Sequence, residues 1–264
     1  MTSKEIAETT LAAGAVAMVT DKTVAATDSA AVDKALKLLT TYDWGADRNA
    51  LKPIDQAIID TRGDTAARKA LEKGLVDALA GGISQSAQDY VCRKLRVVGT
   101  DQSIKALAAL LPAEKTSHIA RYALDRIPDE KAVAAMRSAL PKVSSRLKPG
   151  IIGSLGVRRD KRSIKALSKL LGDSDIQIAR VAAHSLGLIG TSAAAEELSK
   201  FAKKTPANMQ IPVADACLIC ADQLLADGEK SEAVALYKGL KGDDQPKHVK
   251  VAAMKGMLTA AAKN

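Results

Sequence analysis

The pentapeptide Ser-Ile-Lys-Ala-Leu occurs twice in this chain, at residues 103–107 and again at residues 163–167. After two further residues, each copy is followed by a pair of leucines. A weaker copy, Ala-Val-Ala-Ala-Met at residues 132–136, lies between them. The chain is therefore built from units of about 30 residues, a period typical of repeated helical hairpins.

A second recurring element follows each copy. Residues 95–100 (Leu-Arg-Val-Val-Gly-Thr) resemble residues 186–191 (Leu-Gly-Leu-Ile-Gly-Thr), and two further leucines fall at corresponding places. The four anchors are spaced by 29, 31 and 31 residues and are Leu95, Leu124, Leu155 and Leu186. Two short helices fill such a unit, and we expect these leucines to be buried at equivalent positions.

The second helix of the best-preserved unit explains why the units must stack. At about 100° per residue, one narrow apolar stripe is formed by Ile178, Ala182, Leu186 and Ile189. Residues 172–175 provide a turn and an N-cap, and Gly190 stands where a left-handed residue ends a helix. One hairpin cannot bury the apolar stripes of both its helices, whereas stacked hairpins can.

Composition favours helices throughout. Apolar residues make up 47% of the chain, but aromatic residues only 2%, and no long alternating run of β-branched residues indicates a sheet. We therefore expect more than about two-thirds of the residues to be helical and no sheet to form.

The repeat pattern resembles a known family. Residues 175–183 (Asp-Ile-Gln-Ile-Ala-Arg-Val-Ala-Ala), with Leu-Gly and Ile-Gly pairs at 186–190, resemble a HEAT repeat of the type shared with phycobilisome-lyase-like proteins. Residues 42–45, 91–95, 118–124 and 154–160 resemble bacterial HEAT-repeat proteins more broadly. The resemblance covers roughly residues 35–260. It implies an all-α, right-handed solenoid of HEAT-type hairpins, and it says little about function.

The ends of the chain depart from the repeat. Residues 1–34 are predicted to form a helical cap or a flexible tail, and residues 35–264 one continuous solenoid. Within it, residues 217–240 read like a TPR-style hairpin.

The sequence favours a reducing compartment. Three cysteines provide no disulfide framework, acidic residues near the start fit a signal peptide poorly, and no stretch reads as a membrane span. We expect a cytoplasmic protein, although an exported mature form would look the same.

Charge is the most informative functional feature. Between positions 137 and 169 the chain carries one acid, Asp160, and ten basic residues: Arg137, Lys142, Arg146, Lys148, Arg158, Arg159, Lys161, Arg162, Lys165 and Lys169. The difference equals the net charge of the whole chain, +9. This basic segment is either a solvated face or a docking site for an anionic partner.

Two features inside the basic segment are unusual. Arg158 occupies a register position that is apolar in the other units, so it either forms a structural ion pair, with Asp160 as the nearest carboxylate, or faces a ligand. Gly150, Gly153 and Gly156 recur along one predicted helix. Close approach of a neighbouring helix is the favoured reason, and a ligand pressed on bare backbone is the alternative.

No constellation for catalysis is present. Cys217 and Cys220 form a single CxxC without a second pair or a preceding strand, and we expect both to be buried. The three histidines, of which none precedes a glutamate, are expected at the surface or at helix caps. The sequence predicts no enzyme, no cofactor and no metal site.

We therefore expect a protein-binding scaffold that holds an acidic partner. The partner-binding residues predicted from the second helices and the basic segment are Arg121, Arg158, Arg159, Arg162, Lys165 and Arg180. Nonspecific binding of a DNA backbone is the alternative, and with few aromatic residues it would be salt-sensitive. A lyase-like or other enzyme is the third possibility.

Overall fold

The structure is a computed structural model, and it describes residues 29–242 and 245–262. Of these residues 74% are helical, and none of them forms a strand. The predicted high helix content and the predicted absence of sheet are thus confirmed for the described ranges. The cap or tail predicted for residues 1–34 lies outside them up to residue 28, and the first helix runs across its predicted boundary.

The described residues form fourteen α-helices, with short 3-10 turns before α2, α9 and α12. The helices are α1 (Ser29–Leu38), α2 (Lys52–Asp60), α3 (Thr65–Ala80), α4 (Gln85–Val98), α5 (Asp101–Ala109), α6 (Ser117–Leu124), α7 (Glu130–Ala139), α8 (Lys148–Val157), α9 (Ile164–Leu170), α10 (Ile176–Ile189), α11 (Ser192–Ala202), α12 (Gln210–Ala226), α13 (Lys230–Gly239) and α14 (Lys247–Ala262).

These helices pack in two rows. Each even-numbered helix from α2 to α12 contacts the next even-numbered helix, and α1, α3 and α5, as well as α9 and α11, contact the next odd-numbered one. Sequential contacts such as α3 with α4 and α9 with α10 join the two rows. We call them the even row and the odd row. Every hairpin therefore buries its apolar faces against its neighbours along the chain.

The predicted leucine register is confirmed. The side chains of Leu95, Leu124, Leu155 and Leu186 are all fully buried, one in each of four successive even-row helices. The core around them consists mainly of leucine, isoleucine, valine and alanine. Small side chains let the helices pack closely, in agreement with the low aromatic content.

Both ends of α10 lie where the sequence predicts them. Asp175 is the N-cap, and its carboxylate accepts a hydrogen bond from the Gln177 backbone N–H over 2.9 Å. Gly190 ends the helix with φ of +58°, the left-handed conformation that glycine adopts without strain.

Close approach of a neighbouring helix explains one of the three glycines of α8. A Cβ added at Gly156 would lie 2.7 Å from Ser185 in α10, and one added at Gly150 would lie 2.9 Å from the Arg121 guanidinium in α6. At Gly153 an added Cβ meets nothing within 4 Å. The expected close approach of a neighbouring helix is confirmed for Gly156, whereas Gly150 faces only the end of the Arg121 side chain, and the expectation is wrong for Gly153.

This difference gives a matched pair of substitutions in one helix. We expect Gly156→Ala to lower the free energy of unfolding by about 1 to 3 kcal/mol, because α8 and α10 must move apart. Gly153→Ala should raise it by about 0.5 to 1 kcal/mol, because alanine restricts the unfolded chain and favours helix. Urea denaturation followed by circular dichroism measures both, and equal stabilisation by the two alanines would contradict the close approach.

One segment passes the length and composition test for a membrane span. Residues Ala207–Ala226, which include α12, have a mean hydropathy of 1.3, a marginal value that the sequence analysis did not single out. Half of the segment is buried, and α12 contacts α10, α11, α13 and α14. Its apolar character is therefore that of a central packing helix.

Candidate functional site

The charged residues singled out by the sequence lie near a repeated type of helix start. Thr100, Asp129, Asp160 and Thr191 precede odd-row helices, and each side chain accepts a hydrogen bond from a backbone N–H two or three residues later. Their spacings are again 29, 31 and 31 residues. These caps satisfy N–H groups that a helix start leaves without partners.

Asp160 is the most enclosed charge of the basic segment. Its side chain is 4% exposed, and its two oxygens accept hydrogen bonds from Arg137 Nε over 2.7 Å and Arg137 Nη2 over 2.9 Å. The Ser163 hydroxyl donates to the same carboxylate. Burial raises the pKa of Asp160, but the hydrogen bonds from Arg137 and Ser163 lower it by more, so the pKa lies below its ordinary value. The pair fastens α7 to the start of α9.

The same position in another unit carries the opposite charge. Glu72 in α3 and Arg137 in α7 each stand eight residues after the N-cap of their helix. The buried Glu72 carboxylate accepts hydrogen bonds from the Thr100 backbone N–H over 2.6 Å and from the Ser103 hydroxyl over 2.5 Å. The uncharged N-cap Thr100 is thus hydrogen-bonded to a carboxylate, and the acidic N-cap Asp160 to an arginine. Sequence analysis missed this position, although the cap register could have revealed it.

Arg158 bonds to backbone and not to a carboxylate. Its Nη1 donates to the carbonyl oxygens of Ile127 over 2.8 Å and Asp125 over 3.1 Å, just beyond the end of α6. The predicted pair with Asp160 is wrong, because Arg137 already occupies that carboxylate. Carbonyl groups at a helix C-terminus have no partner within the helix and attract a cation, which explains the contact.

Arg159 reaches in the opposite direction along the array. Its Nε and Nη2 donate to the carbonyl oxygens of Ile189 over 3.1 Å and Gly190 over 3.3 Å, and its Nη1 donates to Asp227 over 3.2 Å. The residue itself has φ of +50°. Arg158 and Arg159, which we call the arginine bridge, therefore join four successive turns: α6–α7, α8–α9, α10–α11 and α12–α13.

The remaining charges of the basic segment lie at the surface. Exposed Arg146 and Arg162 pair with Glu114 and Glu130. Among the described residues, no ion pair involves Lys142, Lys148, Lys161, Lys165 or Lys169.

Three of these lysines form one surface. Lys161, Lys165 and Lys169 recur every four residues and are all exposed, so they line one face of α9 and its leading turn. We call them the lysine ridge. Glu130 flanks the ridge on α7, and Glu196 and Glu197 lie on α11 with Lys200. The ridge is thus a basic patch between helices that carry acids.

Arg121 and Arg180 belong to the even row, away from the ridge on the odd row. Arg121 Nη1 donates to the Ser154 hydroxyl over 3.1 Å, and Ser154 in turn donates to the Asp125 carboxylate over 3.0 Å. Burial raises the pKa of Asp125, although Ser154 and Arg121 act against the rise. Arg180 is exposed. The structure therefore does not bring the six predicted residues to one site.

A groove that sequence analysis missed lies near the N-terminal end of the array. It has a volume of about 1170 Å³ and is bordered by the loop that follows α1, the start of α4 and His118 at the start of α6. We call it the N-terminal groove. The sequence drew attention to residues 42–45 only through the family resemblance, and no spacing connects them with α4 and α6.

The most exposed large side chain of the groove is Trp44, at 94%. One hydrogen bond ties its loop to the N-cap of α4, and a second lies within the loop. The Ser84 hydroxyl donates to the Tyr42 carbonyl over 2.6 Å, and the Trp44 backbone N–H donates to the Asp43 carboxylate over 2.8 Å. The hydrogen bond from Trp44, assisted by Ser86, lowers the pKa of Asp43. Trp44 thus projects from a loop tied to α4.

The cysteines and histidines lie as expected from the sequence. Cys92, Cys217 and Cys220 are buried, which raises the pKa of each thiol to about 12, and the three histidines are exposed. Across residues 29–242 and 245–262, no three His, Cys, Asp or Glu side chains are grouped to hold a metal ion.

No family model and no curated protein matches the chain. Among solved structures, the chain is similar to an engineered protein known from a crystal structure, with 19% sequence identity over 88% of this chain and 72% of that chain. The TM-score is 0.39, so this likeness adds nothing to the description of the fold given above.

Proposed function

We propose that this chain is a non-catalytic scaffold that binds another protein with an acidic surface, and that its two rows of helices form a right-handed solenoid of the HEAT type. The proposed location is the cytoplasm. In this view the array provides a long surface, and affinity comes from many contacts along it.

This proposal rests on a difference among the residues of the basic segment: some form contacts within the fold, and others are, among the described residues, exposed without an ion pair. Arg137, Arg158 and Arg159 are used inside the fold, whereas the lysine ridge has no ion pair in the described part of the chain. Three unpaired lysines on one helix face favour encounter with an anionic surface. Because acids flank the ridge on α7 and α11, its charge fits a local acidic patch on a protein.

A nucleic-acid backbone would require a different charge pattern. A duplex presents phosphates along its whole length, so a protein that binds it without sequence preference carries a continuous basic track. On the helices next to the ridge in the odd row, Glu130 pairs with Arg162 and Glu196 pairs with Lys200, so acidic and basic charges alternate there. The net charge of +9 still supports nucleic acid as the second candidate.

Charge reversal of the ridge tests the two candidates together. We expect the triple substitution Lys161→Glu, Lys165→Glu and Lys169→Glu to abolish capture of partner proteins from a native lysate, with capture by the unchanged chain surviving nuclease treatment. Arg159 is left in place because it belongs to the arginine bridge. Exposed charges contribute little to stability, so the thermal midpoint should change little.

The matched control reverses three exposed lysines on other odd-row helices, Lys69, Lys105 and Lys238, which gives the same change in net charge. Equal losses in both triple variants would show that only overall charge matters. Loss of capture after nuclease, together with duplex DNA binding that falls steeply with salt, would favour the nucleic-acid candidate.

A further inference from the structure

The N-terminal groove concentrates the aromatic residues of the chain. The sequence contains one tryptophan, one phenylalanine and four tyrosines, and three of these six residues, Tyr42, Trp44 and Tyr90, line this groove. The rings of Tyr42 and Tyr90 are 6.5 Å apart. Tyr90 is buried, its hydroxyl forms hydrogen bonds with the Leu51 carbonyl and the Asp55 carboxylate, and Tyr42 packs beside it, so both tyrosines belong to the core beneath the groove. Trp44 is 94% exposed and has no such packing, so its position calls for another explanation.

Trp44 gives the groove the character of an interaction surface. Its ring is exposed, and the hydrogen bond from Ser84 to Tyr42 ties its loop to the N-cap of α4. Tryptophan and tyrosine are enriched at the centres of protein interfaces, because they bury large areas with few rotatable bonds. An exposed tryptophan on a loop tied to α4 is therefore available for such a contact.

The polar groups of the groove indicate the charge of its partner. Arg93 is engaged by Asp89 over 2.7 Å, and Asp43 accepts the hydrogen bond from the Trp44 backbone. In the described ranges, Arg48 has no ion pair, and His118 is exposed at the rim. Within the described residues, Arg48 is thus a cation of the groove without an ion pair, and a guanidinium suits a carboxylate.

We propose that the N-terminal groove binds an extended peptide segment of a partner protein, in which an apolar or aromatic side chain packs on Trp44 and a neighbouring carboxylate bonds to Arg48. This inference rests on the proposed function as a protein-binding scaffold. It assigns a second contact surface, at a distance from the lysine ridge, to the same array.

The single tryptophan makes the test direct, because Trp44 is the only source of tryptophan fluorescence in the chain. The probe is a phage-displayed library of random 12-residue peptides, selected on the full chain and counter-selected on Trp44→Ala. We expect enriched peptides to combine aspartate or glutamate with an apolar side chain. Saturating peptide should shift the Trp44 emission to shorter wavelength as the ring leaves water.

Affinities of the synthesised peptides, measured by fluorescence polarisation, separate the groove from the rest of the surface. Trp44→Ala and Arg48→Gln should each weaken binding at least about tenfold, as for central interface residues. The matched controls are Tyr122→Ala, an exposed aromatic residue outside the groove, and Arg62→Gln, an exposed arginine next to α2. Both controls should leave the affinity unchanged.

Two results would overturn the proposal. One is that no peptide is enriched on the unchanged chain over Trp44→Ala. The other is that peptides bind with unaltered Trp44 emission, or bind Trp44→Ala and Tyr122→Ala equally well. Either result removes the groove as a docking site and leaves the scaffold function to the lysine-ridge experiment, whose outcome does not depend on Trp44.

Discussion

Replacing Leu155 by alanine should lower the free energy of unfolding by about 2 to 5 kcal/mol. Leu155 is fully buried in α8, in the middle of the even row, where α6 and α10 pack on either side. The truncation removes apolar contacts and leaves a cavity that closely packed helices close only in part. Urea denaturation followed by circular dichroism measures the change.

The matched control makes the same substitution at Leu258 in α14, which is 73% exposed. There the loss should stay within about 0.5 kcal/mol, as for other surface changes. A loss below about 1 kcal/mol for Leu155→Ala would contradict the repeat register. Because repeat arrays can unfold in parts, the slope of the denaturation curve should be compared in every variant.

The second large effect is expected at Asp160. Asp160→Ala should lower the free energy of unfolding by about 2 to 4 kcal/mol, near the values for breaking a buried ion pair, because Arg137 loses a bidentate partner while remaining three-quarters buried. The Ser163 hydroxyl and the cap of the turn before α9 lose their acceptor in the same step. Thermal and urea denaturation both report the change.

Glu130 is the natural control, since it contacts the same arginine but is 59% exposed. Glu130→Ala should cost no more than about 1 kcal/mol, and equal losses for the two carboxylates would refute the role of burial. The lowered pKa of Asp160 determines how its contribution to the free energy of unfolding changes with pH. Its contribution is present above the ordinary value of 3.8 and is lost as the pH falls below it, so wild type and Asp160→Asn should converge in acid.

The parts of this fold that could be predicted are those in which a residue's role follows from its neighbours within one hairpin. The leucine anchors recur every 29 to 31 residues, each on the apolar stripe of one helix per unit, and stacking of the units buries that stripe. The caps of α10 depend on Asp175 and Gly190 alone. Helix caps depend on residues that are adjacent in sequence, so they can be predicted from the sequence alone.

The partners of the arginine bridge could not be predicted in this way. Asp160 is two residues from Arg158 in sequence, yet it bonds to Arg137, 23 residues away. The carbonyl groups that accept hydrogen bonds from Arg158 and Arg159 belong to neighbouring units. Every residue has a backbone carbonyl group, so residue types do not indicate which of them an arginine will contact. The N-terminal groove was missed for a related reason, since its walls come from three segments of the chain.

The helices of the even row do not pack equally closely along its length. Gly156 and Gly187 let α8 approach α10, and α10 approach α12, so closely that an added Cβ would lie 2.7 Å from the neighbouring helix. Between α6 and α8, by contrast, lie the polar side chains of Arg121, Asp125 and Ser154. Closely packed backbones leave less room for displacement than hydrogen-bonded side chains do. We therefore expect the array to bend more readily at α6–α8 than at α8–α10 or α10–α12. Because the N-terminal groove and the lysine ridge lie on opposite sides of this joint, its angle sets the reach required of a partner that binds both surfaces at once.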